Sequence, residues 1–183
     1  IIGYILGDGC VINDNNNRQY HVTTVSIDYD TLSIFQKFFG DYINVYNIEP
    51  HDNNKAAYMM RINDKYLIEY LISIGITPRK SENCELKIDY NWDILRGYFD
   101  ADGSVRKLPR KEIKITSNSH KSLNQILNFT KIGKVIKRSK SKTNDWLVYR
   151  KEDIQYIFEN MYYENCCKMQ RKYNIMESYI KNY

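Results

Sequence analysis

One nine-residue pattern occurs twice in this chain, and it restricts the possible folds more than any other feature. "LRGYFDADG", residues 95–103, and "IIGYILGDG", residues 1–9, align without a gap. Gly3-Tyr4 matches Gly97-Tyr98, Gly7 matches Ala101, and Asp8-Gly9 matches Asp102-Gly103. Each copy reads as a hydrophobic helix ending in Asp-Gly. The small residues Gly3 and Gly7, and Gly97 and Ala101, lie four apart on one helical face, a spacing that lets two backbones approach closely. A helix-interior glycine costs about 1 kcal/mol relative to alanine, and tight helix-to-helix contact between two repeated half-domains is the natural compensation. Side by side and parallel, the helices bring Asp8 and Asp102 together, with Gly9 and Gly103 expected in the left-handed cap conformation.

The rest of the chain repeats in the same order. "CVIN" and "YHVTTVSID" flank an Asn-rich turn and read as a β-hairpin. "DTLSIFQKFF" reads as a helix capped by Asp30 or Thr31, with Leu32, Phe35, Phe38 and Phe39 at helical spacing. "YINVYNIE" and "AAYMMRI" give a second hairpin, and "DKYLIEYLISIG" a helix ending at Gly75. After the second motif come "SVRKL" with "KEIKITS", the helix "HKSLNQILNF", "GKVIKRS" with "DWLVYR", the helix "EDIQYIFENMYY", and a further helix from about Lys168 to Tyr179. The expected class is α+β: two pseudo-symmetric αββαββα half-domains, residues 1–75 and 92–183, joined by a linker at 76–91 and packed through the motif helices.

Concentrating Asp8 and Asp102 at two helix C-termini creates an electrostatic problem. A helix C-terminus already carries about half a negative charge and unpaired carbonyls, so a cation is required there. Carboxylates of Asp8 and Asp102 with backbone carbonyls of Gly7 and Ala101 make a hard-oxygen environment suited to Mg2+, which readily shares its coordination with phosphate. A metal between a carboxylate and a phosphodiester supports hydrolysis of that ester.

Charge distribution agrees with a polyanionic partner. Through residue 91 there are 8 Lys+Arg against 12 Asp+Glu, or −4; beyond it there are 19 against 10, or +9. The densest basic runs, "RKLPRKEIK" and "KIGKVIKRSKSK", fall in strand and turn regions, where alternate side chains share an outer face. The composition, 43% hydrophobic and 27% charged, is that of a folded domain. No apolar run approaches the roughly 20 residues of a membrane span. Cys10, Cys84, Cys166 and Cys167 lack C-x-x-C spacing and are expected as free thiols. His21, His51 and His120 have no partner at metal-ligand spacing, and no phosphate-binding glycine loop occurs. The start at Ile1, without Met or leader, suggests a piece of a longer precursor; compartment and coding context are not legible.

"LRGYFDADG" closely resembles the signature of the LAGLIDADG homing endonucleases, and "IIGYILGDG" is a looser copy, with Leu6 against Asp100 and Gly7 against Ala101. The helix and hairpin order of the whole chain resembles that of the single-chain, two-motif members. The resemblance implies two saddle-shaped sheets lying in the DNA major groove, with metal-binding Asp8 and Asp102 above the minor groove. Each carboxylate would direct one strand's cut, leaving short 3′ extensions. A monomer acting on a long site is expected, asymmetric because the basic second half and the Tyr, Thr and Ser of the first differ in readout, with Mg2+ for cleavage and Ca2+ supporting binding alone. The resemblance further implies a lysine after the last helix of each half, near the reacting waters. "TPRKSE" and "MQRKYN" supply Lys80 and Lys172, with Lys168 as a rival.

DNA contacts are expected from strand faces turned away from the helices. By alternation these are Tyr20, Val22, Thr24 and Ser26 in the first half and Glu112, Lys114 and Thr116 in the second. Ile12, Ser104 and Arg106 follow the motifs, and Arg18, Arg110, Lys137, Arg138, Lys140 and Lys142 lie in turns and basic runs. Arg61 and Arg150 recur before helix starts. The basic residues would neutralise phosphates or read guanine. Two other readings stay open: with 17 Tyr, stacking on RNA as an intron-splicing maturase, and DNA binding without cleavage as a regulator.

Overall fold

The structure is a computed structural model that describes residues 1–50, 56–80, 84–106, 111–139 and 141–181. The first half runs α1 (Ile2–Asp8), β1 (Cys10–Asp14), β2 (Gln19–Ser26), α2 (Tyr29–Phe39), β3 (Ile43–Ile48), β4 (Ala57–Ile62) and α3 (Lys65–Ser73). The second runs α4 (Trp92–Asp102), β5 (Gly103–Arg106), β6 (Glu112–Ser117), α5 (His120–Thr130), β7 (Lys134–Lys137), β8 (Asn144–Val148), α6 (Lys151–Met161) and α7 (Gln170–Lys181). Each half forms a four-stranded antiparallel sheet, ordered β1-β2-β4-β3 and β5-β6-β8-β7. The architecture is pseudo-symmetric α+β, and among the described residues no helix is long and apolar enough to cross a membrane.

Local chemistry accounts for the starts of α3, α4 and α5. Asp64, Asn91 and Ser119 each accept a hydrogen bond from a backbone N–H three residues on, at 3.0, 2.9 and 3.2 Å, satisfying donors a helix leaves unpaired. In α2 the cap position is Asp28 rather than Asp30 or Thr31. Thr31 is buried, and its hydroxyl is engaged by Ser26 at 3.1 Å and Tyr4 at 3.3 Å. Asp30 instead accepts from the Gln170 N–H at 3.0 Å. Leu32 and Phe35 pack inward and Phe39 borders the core, whereas Phe38 is exposed.

One side of each sheet meets the helices in a single core that includes Met60, Ile62, Ile113, Ile115 and Trp146. Segment 76–91, expected as a linker, contributes Ile76, Cys84 and Leu86 to that core. It docks on the second half: the Gln125 side chain bonds both backbone groups of Leu86, at 2.9 and 2.7 Å, and the Ser119 hydroxyl donates to the Cys84 carbonyl at 2.6 Å. In return, the segment opening α7 docks on the first half, through Gln170 to Asp30 and an Arg171–Asp28 ion pair of 3.1 Å. Each half's trailing segment is thus bonded to the other half.

Candidate active site and nucleic-acid face

The motif helices α1 and α4 make the most extensive helix pairing in the molecule. A methyl group on Gly97 would lie 2.8 Å from the Tyr4 amide nitrogen and 3.2 Å from Gly3 Cα. One on Gly3 would strike the Ile94 carbonyl, and one on Gly7 would lie 2.5 Å from the Ala101 methyl. Backbone therefore touches backbone, and glycine is required for that reason. Gly9 and Gly103, however, are not left-handed: their φ,ψ values are −73°,137° and −70°,149°. A side chain there would instead run into the preceding turn, against Ile5 and Phe99, because the chain turns directly from helix into strand.

The pairing brings the two C-termini together. The Asp102 carboxyl lies against Gly7, whose added Cβ would stand 3.4 Å from its Cγ and Oδ2. Asp8 and Asp102 both keep an exposed face. Crowding by surrounding protein raises the pKa of each; Asp102 reaches about 6, with the negative charge of Asp8 as a further cause. Lys80 and Lys172 each reach one of the two helix ends. Lys80 Nζ donates to the Gly7 carbonyl at 2.7 Å. Lys172 Nζ donates to the carbonyls of Phe99, Asp100 and Ala101 at 2.8, 2.7 and 2.9 Å. Part of the cation that two acidic helix ends demand is therefore supplied by ammonium groups. Burial depresses both lysines, Lys172 to about 8. Lys168, the rival, stands 3.7 Å from the Tyr173 ring centre.

The two lysines are engaged differently. Three carbonyls use all three N–H bonds of Lys172, which is 5% exposed. Lys80 has one such bond and lines a cavity of about 280 Å3 together with Asp102, Gly7, Tyr98, Thr116 and Thr143.

The second motif also carries polar groups that sequence reasoning passed over. Asp100 is buried and accepts from the Tyr162 hydroxyl at 2.9 Å and the Met169 N–H at 3.0 Å; burial raises its pKa to about 6. Arg96, also buried, donates to the carbonyls of Cys167 and Met161, both at 2.8 Å, and pairs with Asp93 at 2.6 Å. Together they anchor the segment that presents Lys172. The signal was available: the corresponding positions in the first motif are Leu6 and Ile2, and a charge replacing an apolar residue on a buried face requires a dedicated partner.

Residues 89–162 match the LAGLIDADG-like domain family. The chain carries a LAGLIDADG-like domain. Its fold along almost the whole length is that of LAGLIDADG homing endonucleases. I-SmaMI bound to cleaved DNA superposes with a TM-score of 0.65 at 13% identity, covering 98% of this chain and 86% of that one. A structure of I-SmaMI with uncleaved target in the presence of calcium ions gives 0.64 at 14%, covering 98% and 88%. I-AabMI bound to uncleaved DNA gives 0.65 at 10% identity, covering 99% and 88%. In sequence, the chain is 30% identical over 132 residues to DNA-directed RNA polymerase subunit Rpo1C of Methanocaldococcus jannaschii, a match spanning 68% of this chain and 14% of that much longer protein.

Strand register in this LAGLIDADG-like fold shows which side chains leave the sheets on the side away from the helices. Ser104 and Arg106 pair with Lys114 and Glu112 on that side, opposite the core pairs Gly103–Ile115 and Val105–Ile113; Thr116 shares it. Ile12 and Arg61 share the corresponding side in the first half, through His21 and Thr23. Tyr20, Val22, Thr24 and Ser26 do not. Val22, Thr24 and Ser26 are buried and Tyr20 packs against the core, so Gln19, His21, Thr23 and Val25 face outward instead. Thr and Ser look groove-facing in sequence, but the Ser26 hydroxyl is spent on Thr31. Lys137 pairs with Asn144, opposite in parity to the outward pair Ile136–Asp145, so the outward lysine of β7 is Lys134. Arg150 lies beyond β8 at the start of α6, 3.9 Å from Asp153. Arg18 occupies the β1–β2 turn at φ 51°, and Lys142 is exposed in the β7–β8 turn. Arg110 and Lys140 lie outside the described residues.

Proposed function

We propose that this chain is a divalent-metal-dependent endonuclease that cuts both strands of a long, asymmetric double-stranded DNA site. The observation that carries this is the convergence of Asp8 and Asp102 at two abutting helix ends, each helix end backed by one lysine. Neither structural roles for isolated caps nor binding alone explains two crowded carboxylates facing solvent together, because their charge opposes phosphate approach unless a cation intervenes.

The donor set fits Mg2+. Among the described residues no three His, Cys, Asp or Glu side chains converge on one point, so the site offers two carboxylates and the second lone pairs of the Gly7 and Ala101 carbonyls, leaving other positions to phosphate and water. Bound there, the ion would supply Lewis-acid stabilisation of the phosphodiester and a nucleophile at neutral pH. The chain's own residues do the rest. Asp8 and Asp102 would hold the ion where a reacting phosphate meets it. Lys80 and Lys172 hold the carbonyls of the helix ends, and Lys80, within reach of the cavity beside Asp102, places positive charge where the leaving oxygen develops negative charge. The Lys114 and Arg106 face neutralises backbone phosphates of the second half-site. The acidic first half makes weaker contacts through Gln19 and Thr23, which gives the site its asymmetry.

The test is a selection from randomised duplex DNA, bound with Ca2+ and then exposed to Mg2+, sequencing both retained and cleaved molecules. Enriched sequences with staggered ends are expected. Asp8→Asn and Asp102→Asn should each retain binding and lose double-strand cutting. Unchanged linearisation by either variant would remove that residue from catalysis.

A further inference from the structure

An acidic residue stands on the outward face of the second sheet where a DNA partner is least able to accept it. Asp145 is 6% exposed, and register places it on the same side as Lys114, Thr116 and Ile136. Its two oxygens are separately engaged. Oδ1 accepts the Thr116 hydroxyl at 2.6 Å, and Oδ2 accepts Arg138 Nε at 2.8 Å. Arg138 follows β7, and its backbone N–H closes the hairpin on the Thr143 carbonyl at 3.1 Å. Its side chain remains 41% exposed. The Nε bond fixes the guanidinium plane, and the terminal nitrogens have no partner among the described residues.

That arrangement solves a specific problem. A free arginine loses rotamer freedom when it reads a base, and a planar fork anchored at Nε has already lost it. The terminal fork is the part that matches the paired acceptors O6 and N7 of guanine in the major groove. We infer that Asp145 and Thr116 are positioning residues that hold Arg138 as a dedicated reader of one guanine in the DNA site. The inference rests on the endonuclease reading above. It also reassigns Thr116, whose hydroxyl is directed to Asp145 and not to a base. Thr116 and Thr143 both line the cavity beside Asp102 and Lys80, so the guanine belongs to the second half-site, close to the cut. Arg61 in the first half is built otherwise: Nε bonds Asn63 at 3.0 Å and one terminal nitrogen bonds His21 at 2.9 Å, so its fork is already half occupied.

The test compares cleavage profiles over all single-base variants of the selected site for the full chain, Arg138→Lys and Asp145→Asn. Lysine keeps the charge and loses the fork; asparagine keeps the size and loses the anionic anchor. For the unaltered protein the expected result is preference for guanine at one position near the cut. Both variants should relax it on the order of tenfold while leaving the other positions unchanged. An unaltered profile in Arg138→Lys, or a uniform fall at all positions in both variants, would overturn the inference and leave the ion pair a hairpin clamp. Failure of the unaltered protein to cut any selected site would instead overturn the endonuclease reading itself. Arg138 is surface-exposed, so its lysine variant gives an answer even where Asp145→Asn loses stability.

Discussion

Replacing either site lysine by methionine separates the two roles the structure gives them. Lys172→Met removes a buried cation that holds three consecutive carbonyls at the end of α4 and faces the buried Asp100 carboxyl. Methionine fills a similar volume but donates nothing, so three carbonyls lose the ammonium, only that of Phe99 keeping the Gly103 N–H, and Asp100 loses one of its two positive neighbours. Breaking a buried, hydrogen-bonded charge network by removing one partner costs about 3–5 kcal/mol. For a chain of this size each kcal/mol lowers Tm by roughly 2–4 °C, which puts the expected drop at roughly 6–20 °C. Lys80→Met removes a single bond, to Gly7, from a residue bordering an open cavity, and about 1 kcal/mol is expected. Calorimetry without divalent ions gives the stabilities, and supercoiled-plasmid cleavage below both Tm values gives the activities. Lys80→Met should remain folded near the original Tm while losing at least tenfold in cutting on the strand served by Asp102. Equal Tm losses in the two variants would refute the distinction between a saturated helix clamp and a lysine within reach of phosphate.

Two further outcomes follow from the same packing. Gly97→Ala should destabilise by about 1–3 kcal/mol despite alanine's better helix propensity, because its methyl would meet the backbone of α1; a urea midpoint at or above the unaltered protein's would show that the helices are not that close. The pH dependence has a definite sign. Asp102 has a folded pKa of about 6, above its ordinary value near 3.8, so its protonated form favours the fold; that stability is complete below pH 4 and lost as pH rises through 6. Without divalent ions, Asp102→Asn should therefore melt higher than the unaltered protein at pH 7.5, by on the order of 1 kcal/mol after solvent screening, and no higher at pH 4. Added Mg2+ should raise the Tm of the unaltered protein and not of the variant. A lower metal-free Tm for Asp102→Asn at pH 7.5 would contradict the crowding of the two carboxyls.

What could be read from the sequence is what depends on neighbours along the chain. Helix periodicity, the four-residue spacing of Gly3 with Gly7 and Gly97 with Ala101, and the order of hairpins each follow from local geometry, so the pairing of α1 with α4 and the meeting of Asp8 with Asp102 were legible. Lys80 and Lys172 were legible only because the family resemblance implies such lysines, the matching Arg-Lys pairs then placing them. That one would be saturated and the other left facing a cavity depends on Asp100 and Arg96 anchoring the segment before α7, far away in sequence. Strand faces were legible where isoleucines mark the core, as at Ile113 and Ile115, and lost at Val22, Thr24 and Ser26. There hydroxyl side chains are buried, and a reading shifted by one residue turns every side chain to the other side. The pairing of Asp145 with Arg138 was likewise invisible, since an acid and a base seven residues apart meet only when the β7–β8 hairpin sets their register. Sequence determined the repeat and its acidic helix ends through short-range periodicity; tertiary packing decided which polar groups are spent on the protein and which remain for a partner, because hydrogen-bond satisfaction is settled by neighbours in space.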